Sequence, residues 1–271
     1  MVLNLGQAQE NYKEFFGEII EQMPKLIAEG RVPMNVNQLM QRRLDVRNAS
    51  QDLKSFWMDN CFDTGDAVVY HPKGGLKIVL DSQYLRQITP ESEINSGALV
   101  LTEDDYRSME GEEFKKGKPG QVNEWLSKQD VKSHPVWKVL ARDQNLLNDY
   151  ANYIFAEGKQ KFGYESTMGV FIDSEEYEFV LLQHYNSELR MWYVNGLEDG
   201  SDAVGSDNLD DDDGYLVGIA PEAQSTLGKS VPKISTYTVT DLEAFDNVIK
   251  GLEGILNPDV LKPFVQLREK L

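Results

Sequence analysis

The chain has 271 residues, 41% hydrophobic and 10% aromatic, enough to build a core in one large domain or two modest ones and too much for global disorder. Its formal net charge of −18 excludes a surface made for nucleic acid or an anionic membrane, and leaves solubility, bound cations or a basic partner as its uses. Cys61 is the single cysteine, which excludes an intrachain disulfide and a multi-cysteine zinc site.

The N-terminus lacks a charged-then-apolar leader pattern, and no apolar run approaches the ~18 residues of a membrane span. The expectation is a soluble protein without membrane insertion, either cytoplasmic or a component of a virion. Residues 7–29 carry Tyr12, Phe15, Phe16, Ile19, Ile20, Met23, Leu26 and Ile27 at three- and four-residue spacing, which predicts a helix that Pro24 kinks or splits and Gly30 ends. A second helix is predicted over 36–47, with Leu39, Met40, Leu44 and Val46 inward and Arg42, Arg43 and Arg47 exposed. From Trp57 the pattern turns to short strands, Ala67–Tyr70 and Leu76–Leu80 forming a hairpin around Pro72–Gly75, then Ala98–Leu101. Thr102 should cap a short helix from Glu103, and residues 110–120 read as an exposed loop.

Ser133 and Pro135 mark the start of a long helix through about residue 157, with Val136, Leu140, Leu147, Tyr150 and Ile154 on one face. Four strands follow: Thr167–Asp173, Tyr177–His184, Leu189–Val194 and Tyr215–Ala220. Their alternation and short connections predict antiparallel pairing. A capping box of Thr240 and Glu243 opens a helix to Lys250, and Asn257–Pro258 opens a last one. The layout is a helical segment over 1–60, a mixed α+β domain over 61–239 and a helical tail over 240–271.

The chemistry of catalysis is sparse. His71, His134 and His184 stand at no metal-ligand spacing and read as turn, helix-start and strand-end residues. Cys61 has no basic neighbour to activate it. There is no phosphate-binding glycine loop, GxSxG elbow or HExxH helix, so the chain reads as no enzyme. The pairs Asp104–Asp105 and Glu175–Glu176 read as helix N-terminal and turn charges.

Residues 193–215, YVNGLEDGSDAVGSDNLDDDDGY, hold eight acidic residues and no Lys or Arg. They lie between Met191–Trp192 and the apolar run Leu216–Pro221. A calcium-binding register fails here: with Gly214 at the sixth loop position, Leu209 falls first and Ala220 twelfth. The acidic run therefore reads as a solvated loop and no cofactor is expected, with a looser calcium site from Asp207, Asp210 and Asp212 as the alternative. The window uses only Tyr, Val, Asn, Gly, Leu, Glu, Asp, Ser and Ala, and all but Glu198 are reached from an AAY codon by replacing its adenines. Small polar residues with Tyr also suit adaptable contact surfaces.

Arg190-Met191-Trp192, a hydrophilic window, then Gly214-Tyr215-Leu216-Val217-Gly218-Ile219-Ala220-Pro221 resembles the variable region of proteins diversified by diversity-generating retroelements. The resemblance implies a C-type-lectin-like fold over about 130–221, an antiparallel scaffold holding a hypervariable ligand-binding face. It covers about a third of the chain. It does not carry over carbohydrate binding, since the calcium-and-sugar motifs are missing, and the window does not sit at the C-terminus as in many such proteins. The face it implies comprises Tyr193, Asn195, Asp199, Asp202, Asp207, Asn208, Asp210, Asp212 and Tyr215, with Trp192, Leu216, Val217 and Ile219 as buried scaffold. The expected partner is a macromolecule, a protein. The competing readings are a structural virion or assembly protein using its N-terminal helices, and an acidic inhibitor that mimics nucleic acid.

Overall fold

The computed structural model describes residues 11–114, 123–163, 168–172, 186–212 and 214–220. Contacts divide the chain into Met1–Lys229 and Ser230–Leu271; the second unit lies outside the described residues. So do the expected strand Tyr177–His184, the pair Glu175–Glu176 and both C-terminal helices.

The chain opens with β1 (Tyr12–Phe16), α1 (Ile19–Ala28), β2 (Val32–Pro33), α2 (Val36–Asp45) and α3 (Gln51–Asp59). The long hairpin β3 (Phe62–Tyr70) and β4 (Leu76–Val79) follows, then α4 (Gln83–Arg86), β5 (Ile94–Asn95), β6 (Ala98–Leu101), α5 (Glu103–Ser108) and β7 (Glu112–Phe114). Next come β8 (Glu124–Leu126), α6 (Lys128–Ser133), α7 (Pro135–Ala141) and α8 (Gln144–Phe162). The described part ends with β9 (Met168–Phe171), β10 (Ser187–Val194), β11 (Ala203–Asp207) and β12 (Tyr215–Ile219).

All twelve described strands join one sheet, whose main path runs β1-β12-β3-β10-β11-β9-β8. The central pair β3–β10 is antiparallel, as are β1–β12, β3–β4, β10–β6 and β10–β11. Two pairs are parallel, β12–β3 and β11–β9, so the expected all-antiparallel block is mixed. Every residue of β3 is buried, as befits a strand covered on both faces. One face packs Val68, Trp192, Val194 and Val217 against Leu39, Trp57, Trp137 and Tyr150 of the helices. The other packs Val69, Leu189, Met191 and Leu216 against Ile19, Met23 and Leu26 of α1.

That two-sided burial explains the largest departure from the sequence reading. The helix expected over 7–29 begins only at Ile19, and residues 12–16 form a strand. Tyr12 and Phe15, three apart, enter opposite faces of the sheet. The same spacing on a helix would have put them together. Gly17, at φ +120, makes the turn between strand and helix. Pro24 sits within α1 without dividing it.

The long helix expected from residue 135 is likewise two. Arg142 takes a left-handed conformation, φ +59, and Asp143 caps α8 by accepting from the Leu146 N–H at 2.8 Å. Arg142 earns its backbone strain through its side chain, which meets Asp66 and Asp81 at 2.5 Å each. Asp66 also accepts from the Val36 N–H at 3.0 Å, fixing the start of α2. Thr102 caps α5 in a capping box with Asp105, as expected, and Asp104 and Asp105 lie in its first turn. Within the expected 110–120 loop, residues 112–114 instead pair with β4.

Candidate ligand-display face

The window runs from the end of β10 to the start of β12, two strands that both pair with Phe62 of β3. Trp192, Leu216, Val217 and Ile219 are fully buried, as expected of the scaffold. The segment between them is not a free loop. Asn195 N–H donates to the Asp202 carbonyl at 3.0 Å, closing a turn in which Leu197 is buried. The chain then forms β11, which pairs with both β10 and β9. Leu209 N–H donates to the Gly97 carbonyl at 2.7 Å, and the Leu209 carbonyl accepts from the Ile20 N–H at 3.1 Å. Tyr215 N–H donates to the Cys61 carbonyl at 3.1 Å.

A ligand-binding face over the window implies that residues 195–213 are mostly exposed. Over the described 195–212, only Glu198, Asp199, Asp210 and Asp212 are exposed, whereas Gly196, Leu197, Gly200–Ala203, Gly205 and Leu209 are buried. Ala203 and Gly205 of β11 turn inward, as alternate residues of a paired strand do, and on either side of it Leu197 and Leu209 join the hydrophobic cores. Polarity of composition did not reveal that pairing.

The nine expected contact residues therefore fall into three kinds. Asp199, Asp210 and Asp212 face solvent. Tyr193, Asp207 and Tyr215 are half-buried at the rim. Burial pushes the Tyr193 phenol well above its ordinary pKa, reinforced by its hydrogen bond with Cys61 and by the charges of Asp63 and Asp207. Tyr215 lies 5.7 Å from Phe16 and 5.8 Å from Phe56, ring centre to ring centre.

Asn195, Asp202 and Asn208 are built into the support. The Asn195 carbonyl accepts from Arg43 at 3.0 Å. Asp202, 1% exposed, accepts from the Gly169 N–H and so ties the window to β9. Burial pushes its carboxyl up to about 7, with Asp199 adding to the rise and the Gly169 N–H opposing it. Asn208 accepts from Arg190, which also donates to the Ser96 carbonyl at 2.5 Å. Gly97, at φ +77, lies so close that any Cβ would overlap the Asn208 side chain.

Three supporting residues escaped the sequence reading. Arg43, expected on the surface, is 0% exposed and donates to the carbonyls of Trp57, Asn60 and Asn195 and to the Tyr150 hydroxyl at 2.7–3.1 Å. Arg190 and Gly97 are the others. No periodicity marks such residues, because their role comes from carbonyls distant in sequence. Phe16, 59% exposed beside Tyr215, was hidden by the helix reading.

Among the described residues no group of three or more His, Cys, Asp or Glu is arranged to hold a metal ion, so Asp207, Asp210 and Asp212 do not converge as a calcium site would require. His71 accepts from the Lys73 N–H at 3.1 Å as a turn residue, and His134 precedes α7; burial lowers the latter to about 4. His184 lies outside the described residues. Among the described residues no helix is long and apolar enough to cross a membrane.

No family model and no curated protein matches the sequence. One solved structure does match, described as the accommodation of massive sequence variation in Nanoarchaeota by the C-type lectin fold. It superposes with a TM-score of 0.56 at 13% identity, covering 80% of this chain and 99% of that one. At that identity the likeness is one of fold: the chain has a C-type-lectin-like α+β architecture.

Proposed function

We propose that this chain is a non-catalytic ligand-binding protein that displays part of residues 193–215 to a protein partner, and that a retroelement diversifies that window. The observation that carries the reading is the division within the window. Its backbone is pinned by Arg43, Arg190, Gly97 and the β11 pairings, while Glu198, Asp199, Asp210 and Asp212 stand free of the core. A pinned backbone lets outward side chains change at little cost, because exposed substitutions alter stability by about 0.5 kcal/mol or less. It also limits the ordering entropy lost on binding. The solved structure of like fold is described as accommodating massive sequence variation, which supports the reading by analogy.

The carboxylates of the face would steer a basic partner and make association salt-sensitive. The apolar faces of α1 and α2 are spent on the sheet, which leaves the display face as the better docking surface. Two experiments test the proposal. Capture from candidate hosts with zero-length carboxylate–amine cross-linking should map cross-links to residues 198–212; cross-links confined to residues 19–59 would refute it. Sequencing the surrounding DNA should reveal a reverse-transcriptase gene and a near-copy of the codons for 190–218; their absence would refute retroelement diversification.

A further inference from the structure

Phe16 ends β1 and is 59% exposed. It is nonetheless firmly based. The register sets Phe16 opposite Tyr215 and Tyr215 beside Phe62. Phe62 in turn stacks on the buried Trp57 with ring centres 5.2 Å apart and planes within 13°. An aromatic row thus runs from the core to the sheet edge, and its outermost member has little motion left to lose on binding.

The surroundings of the row are acidic. Glu18, exposed, lies two residues after Phe16, and the exposed Asp210 and Asp212 shortly precede Tyr215. The bond from Ile20 N–H to the Leu209 carbonyl, 3.1 Å, holds these two segments together. A neutral apolar partner would strip water from those carboxylates without replacing it. An anionic partner would be repelled. A cationic side chain satisfies both features, since aromatic faces and carboxylates attract it together.

We propose that the Phe16–Tyr215 ring pair is a docking platform for an arginine or lysine side chain on a basic segment of a protein partner. The proposal rests on the display reading for its acidic rim and for Tyr215, the last residue of the window, and adds in Phe16 an anchor that lies outside the window. Because Phe16 belongs to β1, diversification of 193–215 would leave it unchanged while the contacts around it vary.

The test is to pan a random dodecapeptide library on the full chain and then measure the affinity of enriched peptides for native protein, Phe16→Leu and Phe16→Trp. Leucine keeps an apolar contact with Tyr215 but removes the ring face; melting curves check that each variant folds. The expected result is enrichment of Arg- and Lys-bearing peptides, weakened by high salt. Phe16→Leu should weaken binding about tenfold, and Phe16→Trp should keep or improve it. No enrichment, enrichment of uncharged or acidic peptides, or equal binding by Phe16→Leu would overturn the platform. None of those outcomes touches the display reading, which fails instead if a window-replaced chain holds its natural partner as the native chain does.

Discussion

Asp202→Asn offers a sensitive probe of how the window is held. Asp202 is 1% exposed, and the Gly169 N–H donates to its Oδ1, an atom that the asparagine amide oxygen can replace. Its carboxyl is raised from 3.8 to about 7, so the folded state keeps a proton that the unfolded chain releases. Below pH ~4 both states are protonated and the group has no effect on stability. As pH rises from about 4 to about 7 the unfolded chain ionises first, and stability falls; above about 7 the loss is complete. A rise of about three units at about 1.4 kcal/mol each sets a ceiling of about 4 kcal/mol. Solvent reaching the turn from exposed Asp199 lowers it toward about 2 kcal/mol. Asp202→Asn removes this penalty. Urea unfolding of both proteins at pH 4, 6 and 8 should show near-equal stability at the lowest pH and a variant more stable by about 2–4 kcal/mol at the highest. A difference constant across pH would refute the reasoning.

Three further substitutions test the support. Arg43→Met should cost about 3 kcal/mol or more by leaving buried carbonyls unsatisfied, against about 0.5 or less for Arg47→Met, read by chemical unfolding. Trp192→Ala should cost about 3–5 kcal/mol through the cavity it leaves, against about 0.5 or less for Asp210→Ser. Gly97→Ala combines a left-handed backbone with overlap on Asn208, and should lower the melting temperature by an amount worth about 1–3 kcal/mol.

Local signals in the sequence carried well where local chemistry decides the outcome. The Pro72–Gly75 hairpin, the Thr102 cap and the strands ending in Val194 and beginning at Tyr215 all follow from residues close in sequence. The apolar flanks of the window likewise announced their burial. What failed depended on neighbours distant in sequence. Tyr12 and Phe15 show helical spacing, but two buried sheet faces make a strand of them. Arg43 looks like a surface charge until three distant carbonyls surround it. The window's acidic composition hid β11, whose Gly205 leaves room for Tyr70 and Trp192 and whose Ala203 is buried between Val194 and Val170 of the neighbouring strands. Three of the nine expected contact residues, Asn195, Asp202 and Asn208, therefore belong to the support, and Phe16 joins the rim from the other end of the chain.

The most direct measurement of the central claim uses the partner recovered by cross-linking. Its affinity is compared for the native chain and for one in which Glu198, Asp199, Asp210 and Asp212 are all replaced by serine. These four side chains are exposed, so the variant should melt within a few degrees of native. Ligand display expects affinity to fall at least about tenfold with the fold intact. Equal affinity in two equally folded proteins would contradict it.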